Sequence, residues 1–137
     1  MSSPQPKSVL DASAVLAYVL DERGATVVER LLEISSITAA NLTEVLYRAC
    51  EMGYTGTPDE LQDELLATGL RVEPVIVEDS ARAAELIIGS RVRATHGSLS
   101  LADGLCIAVA ERLGLTVVGG DQLWETLDLR VEHQPFR

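Results

Sequence analysis

The sequence predicts an α/β fold, a three-layer α/β/α sandwich with a central, mainly parallel sheet. Short apolar runs, such as residues 8–10 and 116–119, alternate along the chain with longer runs whose apolar residues have helical spacing. Glycine, proline and polar residues separate these runs, as is typical of turns. Strands that alternate with helices form parallel sheets with helices on both faces.

Size and charge restrict the class of protein further. The chain has 137 residues, of which 47% are hydrophobic, so we expect one domain over residues 1–137, with a disordered or extended polar lead-in at 1–7. No apolar run reaches the roughly 18 residues that a membrane span needs. The first residues lack the apolar core of a signal peptide, so we expect a cytoplasmic protein. The net charge of −10 argues against a broad basic surface for nucleic acid and is compatible with acids gathered around a divalent cation.

The N-terminal elements are predicted from apolar spacing and turn residues. A buried strand is expected at 8–10 and a helix at 13–20, which the polar turn 21–24 ends. Thr26 is expected to cap a second helix over 27–33.

Capping residues mark the two helices of the middle third. Asn41 is the expected cap of a helix over 40–52, and Thr57 with Pro58 opens a helix over 59–68. The other elements predicted here are strands at 36–38 and 70–75 and a helix at 78–90.

A long apolar helix dominates the C-terminal third. Residues 100–113 are apolar on nearly every side, which predicts a helix covered on two faces and ended by Gly114. A polar loop is expected before it, at 91–98. The remaining predicted elements are a buried strand at 116–119, a short helix at 122–127 and a closing edge strand at 129–132. The residues expected to be largely buried are Leu16, Val19, Leu46, Leu105 and Val117.

Four acids occupy related positions in this pattern. Asp11 and Asp121 each follow a short apolar strand, while Glu44 and Asp103 lie in the first turns of helices. Any one of them alone is explained by helix capping, and Glu44 and Asp103 have the spacing of capping boxes. Because parallel strands carry their carboxyl ends on one edge of the sheet, we expect all four to converge there.

Such a cluster of carboxylates would be chemically specific. Crowded carboxylates repel one another, so their pKa values should rise unless Mg²⁺ or Mn²⁺ binds between them. His96 and His133 are isolated in the sequence and form no cluster for a softer metal. A carboxylate site of this kind activates water and binds the phosphate of a phosphodiester. The hydroxyls of Ser13 and Ser100 are candidates to position water or phosphate, although both are also ordinary residues at helix starts.

Three segments, VLDASAVLAYVL, NLTEVLYRA and LSLADGLCIAVAERLGLTVVGGD, carry a resemblance in their order and spacing. They resemble PIN-domain ribonucleases, and most closely the VapC-type toxins of bacterial type II toxin–antitoxin systems. The resemblance covers roughly residues 9–131, and the third segment is its most specific part.

The resemblance implies roles for individual residues. By position it makes Asp11, Glu44, Asp103 and Asp121 the catalytic acids of an endoribonuclease. Asp11 and Asp103 would contact the metal directly, and Glu44 and Asp121 would act through water. The resemblance also implies Mg²⁺- or Mn²⁺-dependent cleavage of single-stranded regions of RNA, a homodimer, and a cognate antitoxin whose tail blocks the site.

Two points concern the surroundings of the acids. The family often has threonine or serine two residues before the fourth acid, whereas this chain has Gly119.

Arg91 and Arg93 are hypothesised to guide RNA phosphate toward the metal, and a solvated loop explains them equally well. Arg48, one helical turn after Glu44, is a further candidate for RNA binding.

Two other classes of phosphate-handling protein would need residues that this chain lacks. A phosphatase with an aspartyl nucleophile would need an acid two residues after Asp11, where the chain has Ser13. A phosphate-receiving signalling domain would need a lysine near the site, and the only lysine is Lys7. A non-catalytic protein-binding module of the PIN fold stays open as the alternative function.

Overall fold

The computed structural model describes residues 5–92, 97–120 and 122–137. The described strands form one five-stranded parallel sheet with the order β3-β2-β1-β4-β5. The strands are β1 (Ser8–Leu10), β2 (Ser35–Thr38), β3 (Arg71–Glu73), β4 (Thr116–Val118) and β5 (His133–Gln134). The helices are α1 (Ala12–Val19), α2 (Ala25–Leu31), α3 (Ala39–Glu51), α4 (Pro58–Ala67), α5 (Val77–Val92), α6 (Leu101–Leu113) and α7 (Gln122–Glu125), and a short 3-10 helix spans Leu32–Ile34. This confirms the predicted α/β/α architecture with a parallel sheet.

The central strand β1 connects the two halves of the sheet. Val9 pairs in register with Ser36 of β2 on one side and with Val117 of β4 on the other. Both Val9 and Leu10 are completely buried, as is typical of a parallel strand covered on both faces.

Alternation along the strands divides the core into two parts. Leu10, Ile37 and Val118 pack with apolar residues of α1 to α4, whereas Val9 and Val117 pack with those of α5, α6 and α7. Successive side chains of a strand point to opposite faces, so β1 and β4 each contribute to both parts of the core. The helices therefore cover both faces of the sheet.

Several predicted helix ends are confirmed. Thr57 caps α4 by accepting a hydrogen bond from the backbone of Glu60, and Pro58 is the first helical residue. Ser100 caps α6, and Gly114 ends it in the left-handed conformation.

Two predicted caps are wrong. Gly24 precedes α2 directly, so the helix begins at Ala25 and already includes Thr26. Thr38 caps α3, because it ends β2 in an extended conformation and its hydroxyl accepts a hydrogen bond from the Asn41 amide at 3.0 Å. Asn41 lies instead in the first turn of α3, where it is completely buried.

The regions on either side of α6 also differ from the prediction. Helix α5 continues to Val92 and includes Arg91, which was assigned to a loop, while residues 93–96 lie outside the described part of the chain. The closing strand is His133–Gln134 rather than 129–132, because Val117 and Val118 pair with these two residues.

Burial follows the prediction in part. Leu16 and Val117 are buried as expected, whereas Val19, Leu46 and Leu105 are partly exposed. Helix α6 is buried over its middle, but Leu101 at its start is 70% exposed, so its cover is incomplete there. Among the described helices, none combines the length and the apolar character that crossing a bilayer requires.

Candidate metal centre

Three of the four predicted acids line one pocket at the carboxyl edge of the sheet. Asp11 directly follows β1, Glu44 lies in α3 after β2, and Asp103 lies in the first turn of α6. The pocket has a volume of about 190 Å³. Its lining residues are Asp11, Ser13, Glu44, Arg48, Asp103, Gly120, Trp124 and Arg137. The fold thus brings together carboxylates separated by up to 92 positions in sequence.

Asp11 is the most deeply buried of these acids. It is 2% exposed and caps α1, with Oδ1 accepting a hydrogen bond from the Ala14 amide at 2.8 Å. The Ser13 hydroxyl donates to Oδ1 and Oδ2 at 2.8 and 2.9 Å, and the Gly120 amide donates to Oδ2 at 2.7 Å. Both carboxylate oxygens of Asp11 therefore accept hydrogen bonds from the protein.

Burial has the largest effect on the pKa of Asp11. Loss of solvation raises the pKa of its carboxyl group, and the three hydrogen bonds oppose that effect only in part. The negative charge of Glu44 raises the pKa further. The capping role and the site role of Asp11 are therefore compatible, since one carboxylate caps the helix and also lies in the shared pocket.

The backbone at Gly119 and Gly120 lies directly against Asp11. Gly119 has φ +136°, and a Cβ atom at this position would overlap the Asp11 carboxylate. Its carbonyl oxygen is hydrogen-bonded to Nε2 of His133, which holds this turn against β5. Glycine in place of the hydroxyl residue frequent in the family thus lets the main chain approach the acid, and Gly120 supplies an N–H donor.

Asp103 forms a capping box with Ser100. Its amide donates to the Ser100 hydroxyl at 3.1 Å, and its carboxylate is hydrogen-bonded to Ser100 in return. Loss of solvation and the charges of Asp11 and Glu44 nevertheless raise the pKa of Asp103 to about 6. The expected rise in carboxyl pKa is thereby confirmed for Asp11 and Asp103.

Glu44 has a different environment. Its Oε2 accepts a hydrogen bond from Arg48 at 3.0 Å, and its side chain is 20% exposed. The capping box predicted for it with Asn41 is not formed, because Thr38 caps the helix. Arg48 lies one turn further along α3 and lines the same pocket, so this candidate for RNA binding does reach the acids.

Asn41 is a component of the site that the sequence pattern did not reveal. With its amide oriented to satisfy its neighbours, the nitrogen donates to the Ala102 carbonyl and the oxygen accepts from the Ala12 amide, both at 3.2 Å. These residues precede Asp103 and follow Asp11, so Asn41 fixes the starts of α1 and α6 relative to α3. The sequence signal for this role of Asn41 was a polar residue on the face of α3 that packs into the core.

The remaining candidates have different positions. Arg91 is exposed near the end of α5 and is not among the residues that line the pocket. Arg93, His96 and Asp121 lie outside the described residues. Trp124 and Arg137 line the pocket although no sequence pattern pointed to them.

The donor set fits a hard divalent cation. Among the described residues, no three His, Cys, Asp or Glu side chains are arranged closely enough to hold a metal as they stand. The pocket nevertheless contains three carboxylates, and charge repulsion contributes to the raised pKa values of two of them. Oxygen donors of this kind suit Mg²⁺ or Mn²⁺. A bound cation would stabilise the charged forms of Asp11 and Asp103, whose pKa values are raised.

Comparison with solved structures shows the same fold in toxin–antitoxin proteins. DNA-bound VapBC from Salmonella typhimurium has a TM-score of 0.70 and 14% identity, over 97% of this chain and 100% of that chain. VapC20 from Mycobacterium tuberculosis, described as a sarcin-ricin loop cleaving toxin, has a TM-score of 0.65 and 19% identity, over 85% and 91% of the two chains. FitAcB from Neisseria gonorrhoeae has a TM-score of 0.66 and 17% identity, over 93% and 96%.

Comparison of the sequence itself identifies the family. No curated protein matches the sequence. The PIN domain family matches residues 8–128, which include β1, the long helix α6 and the three carboxylates of the pocket. Since this match covers most of the 137 residues, the chain belongs to the PIN domain family.

Proposed function

We propose that this protein is a metal-dependent endoribonuclease that cleaves single-stranded regions of RNA and acts as the toxin of a toxin–antitoxin pair. The observation that carries the proposal is the pocket in which Asp11, Glu44 and Asp103 lie together. Carboxylates with raised pKa values are poised to bind a divalent cation, which offsets their repulsion. Membership of the PIN domain family supports the same chemistry.

The residues of the pocket have separate tasks in this proposal. Asp11 and Asp103 would hold Mg²⁺ or Mn²⁺, which when bound supplies Lewis acidity toward a phosphodiester. Ser13 and the Gly120 amide fix the orientation of the Asp11 carboxylate through their hydrogen bonds. Glu44, which is partly exposed and lines the same pocket, would accept a proton from an attacking water, and Asp121 would be the fourth acid of the set.

The substrate and partners of the proposal follow from the relatives. One structural neighbour is described as a sarcin-ricin loop cleaving toxin, another as a toxin–antitoxin complex, and a third as DNA-bound VapBC. We therefore propose RNA as the substrate, a cognate antitoxin that blocks the pocket, a homodimer as the active form, and the cytoplasm as the place of action.

The proposal is tested by cleavage of defined single-stranded RNAs. We expect cleavage with Mg²⁺ or Mn²⁺, none with chelator, and a loss of about 100-fold or more for Asp11→Asn and for Asp103→Asn. A matched control is Asp128→Asn, which removes an exposed acid outside the pocket and should leave the rate unchanged. Equal rates for all these proteins would contradict the proposal.

The alternative of a non-catalytic binding module is distinguished by expression in cells. Induction of the nuclease should slow growth, and Asp11→Asn should restore it. If both proteins leave growth unchanged, and neither cleaves RNA in vitro, the binding module would be favoured instead.

A further inference from the structure

A second cavity adjoins the acidic pocket. It has a volume of about 190 Å³ and is lined by Leu16, Leu20, Glu22 and Met52. Ser13, Arg48 and Arg137 line both cavities, so the two are parts of one groove. One end of this groove is acidic, its middle carries two arginines, and its far end combines apolar side chains with the carboxylate of Glu22.

We propose that the second cavity, with Arg48 and Arg137 at its entrance, binds the nucleoside next to the scissile phosphate of single-stranded RNA. This subsite rests on the proposed nuclease function and adds a binding determinant to it. Arg137 would bind the phosphate that links the two cavities, because arginine donates paired hydrogen bonds to phosphate oxygens. Arg48, whose Nη1 donates to Glu44 at 3.0 Å, would contribute its remaining N–H groups.

The position of Arg137 depends on a buried neighbour. Phe136 is 3% exposed and belongs to the core packed on one face of the sheet. The Arg137 guanidinium carbon lies 4.9 Å from the centroid of the Phe136 ring. Since the core anchors Phe136, the adjacent arginine is held at the groove although its own side chain is exposed.

The far end of the groove suits a base. Leu16 and Leu20 provide apolar contact, and Met52, which is 54% exposed, supplies a flexible thioether surface at the rim. Unstacked bases of single-stranded RNA are recognised through their faces and their Watson–Crick edges. Glu22 offers carboxylate oxygens, which accept hydrogen bonds from base N–H groups and would disfavour an edge that presents only acceptors.

Charge distribution favours RNA over an acidic peptide as the occupant. The pocket beside the subsite contains three carboxylates, whereas Arg48 and Arg137 lie between the two cavities. A carboxylate-rich peptide would add negative charge next to the three carboxylates. It would also lack a phosphate group that the proposed metal ion could bind. A nucleotide places one phosphate at the acids and the next at the arginines, so it matches the alternation of charge along the groove.

The test compares two arginines that differ in position. Arg137→Gln removes the proposed phosphate contact, and Arg30→Gln removes the same charge from an exposed site of α2 outside both cavities. With a single-stranded oligonucleotide library and Mn²⁺, we expect Arg137→Gln to raise KM about tenfold, with a smaller change in kcat. The salt dependence of RNA binding should lose about 0.7 in its log–log slope, the value for one phosphate contact on a single strand. Arg30→Gln should change neither quantity.

Two further variants test the base end of the subsite. Met52→Glu should weaken RNA binding several-fold, and Glu22→Gln should change which base is preferred next to the cut. If Arg137→Gln and Arg30→Gln have equal effects, or if Met52→Glu has none, the subsite is wrong. If these variants instead weaken only the binding of a protein partner, the cavity is a protein interface and the proposal is likewise overturned.

Failure of the subsite and failure of the nuclease have different signatures. If the unaltered protein cleaves no RNA, the proposed function fails, and fluorescence anisotropy with the same oligonucleotides then decides whether Arg137 and Met52 bind RNA. If the protein cleaves RNA with unchanged KM and unchanged salt slope in Arg137→Gln, the nuclease stands and the subsite fails.

Discussion

Removal of the charge at Asp103 should stabilise the metal-free protein. The pKa of Asp103 rises from 3.8 to about 6 through loss of solvation and the charges of Asp11 and Glu44. A rise of about 2 pKa units corresponds to about 3 kcal/mol, at about 1.36 kcal/mol for each unit. Because the side chain is partly exposed, solvent screening reduces the expected effect to about 2–3 kcal/mol.

The size of this stabilisation depends on pH. Below about pH 4 Asp103 is protonated in the folded and the unfolded state, so it carries no penalty. Between about pH 4 and 6 the unfolded chain releases the proton more readily, and the free energy of unfolding falls as pH rises. Above about pH 6 the penalty is complete. Asp103→Asn should therefore match the unaltered protein in acid and exceed its stability by about 2–3 kcal/mol at neutral pH.

The measurement is urea unfolding of chelator-treated protein across this range of pH. Addition of Mg²⁺ or Mn²⁺ should stabilise the unaltered protein and have a smaller effect on Asp103→Asn, because a ligand stabilises the state that binds it. Glu29→Gln removes an exposed acid of α2 and serves as the control with no expected change. Equal stability of Asp103→Asn and the unaltered protein at every pH would refute the electrostatic basis of the cation site.

Two other substitutions test the scaffold around the acids. Gly119→Ala should destabilise the protein by at least about 1–3 kcal/mol in urea unfolding and abolish RNA cleavage, since its Cβ would displace Asp11. Gly53→Ala, at φ +115° with open space around it, should show the backbone cost alone and retain cleavage, and equal activity of the two variants would contradict this. Arg112→Ala should cost about 3 kcal/mol, because it leaves the Asp79 carboxylate, 1% exposed, without the guanidinium that now bonds to it at 2.8 Å. A loss below about 1 kcal/mol would show that this pair contributes little.

Local sequence patterns predicted the elements well where the signal was local. The caps at Thr57 and Ser100 and the end of α6 at Gly114 depend on a few neighbouring residues, and the structure confirms them. The cap of α3 was assigned to Asn41 because asparagine is a common cap, but Thr38 has that role. Asn41 has a tertiary role instead, since its partners Ala12 and Ala102 belong to other helices.

The alternation of strands and helices, and the convergence of Asp11, Glu44 and Asp103 on one pocket, could be predicted from the residue pattern alone. An acid after an apolar strand is recognisable because parallel strands end at one edge of the sheet. Only the tertiary structure decided which arginines reach that edge. Arg91 lies near the end of α5, away from the pocket lining, whereas Arg137 reaches it from beyond the last strand. Such placement depends on the packing of distant segments, of which Phe136 against the core is the decisive example, and no local pattern encodes it.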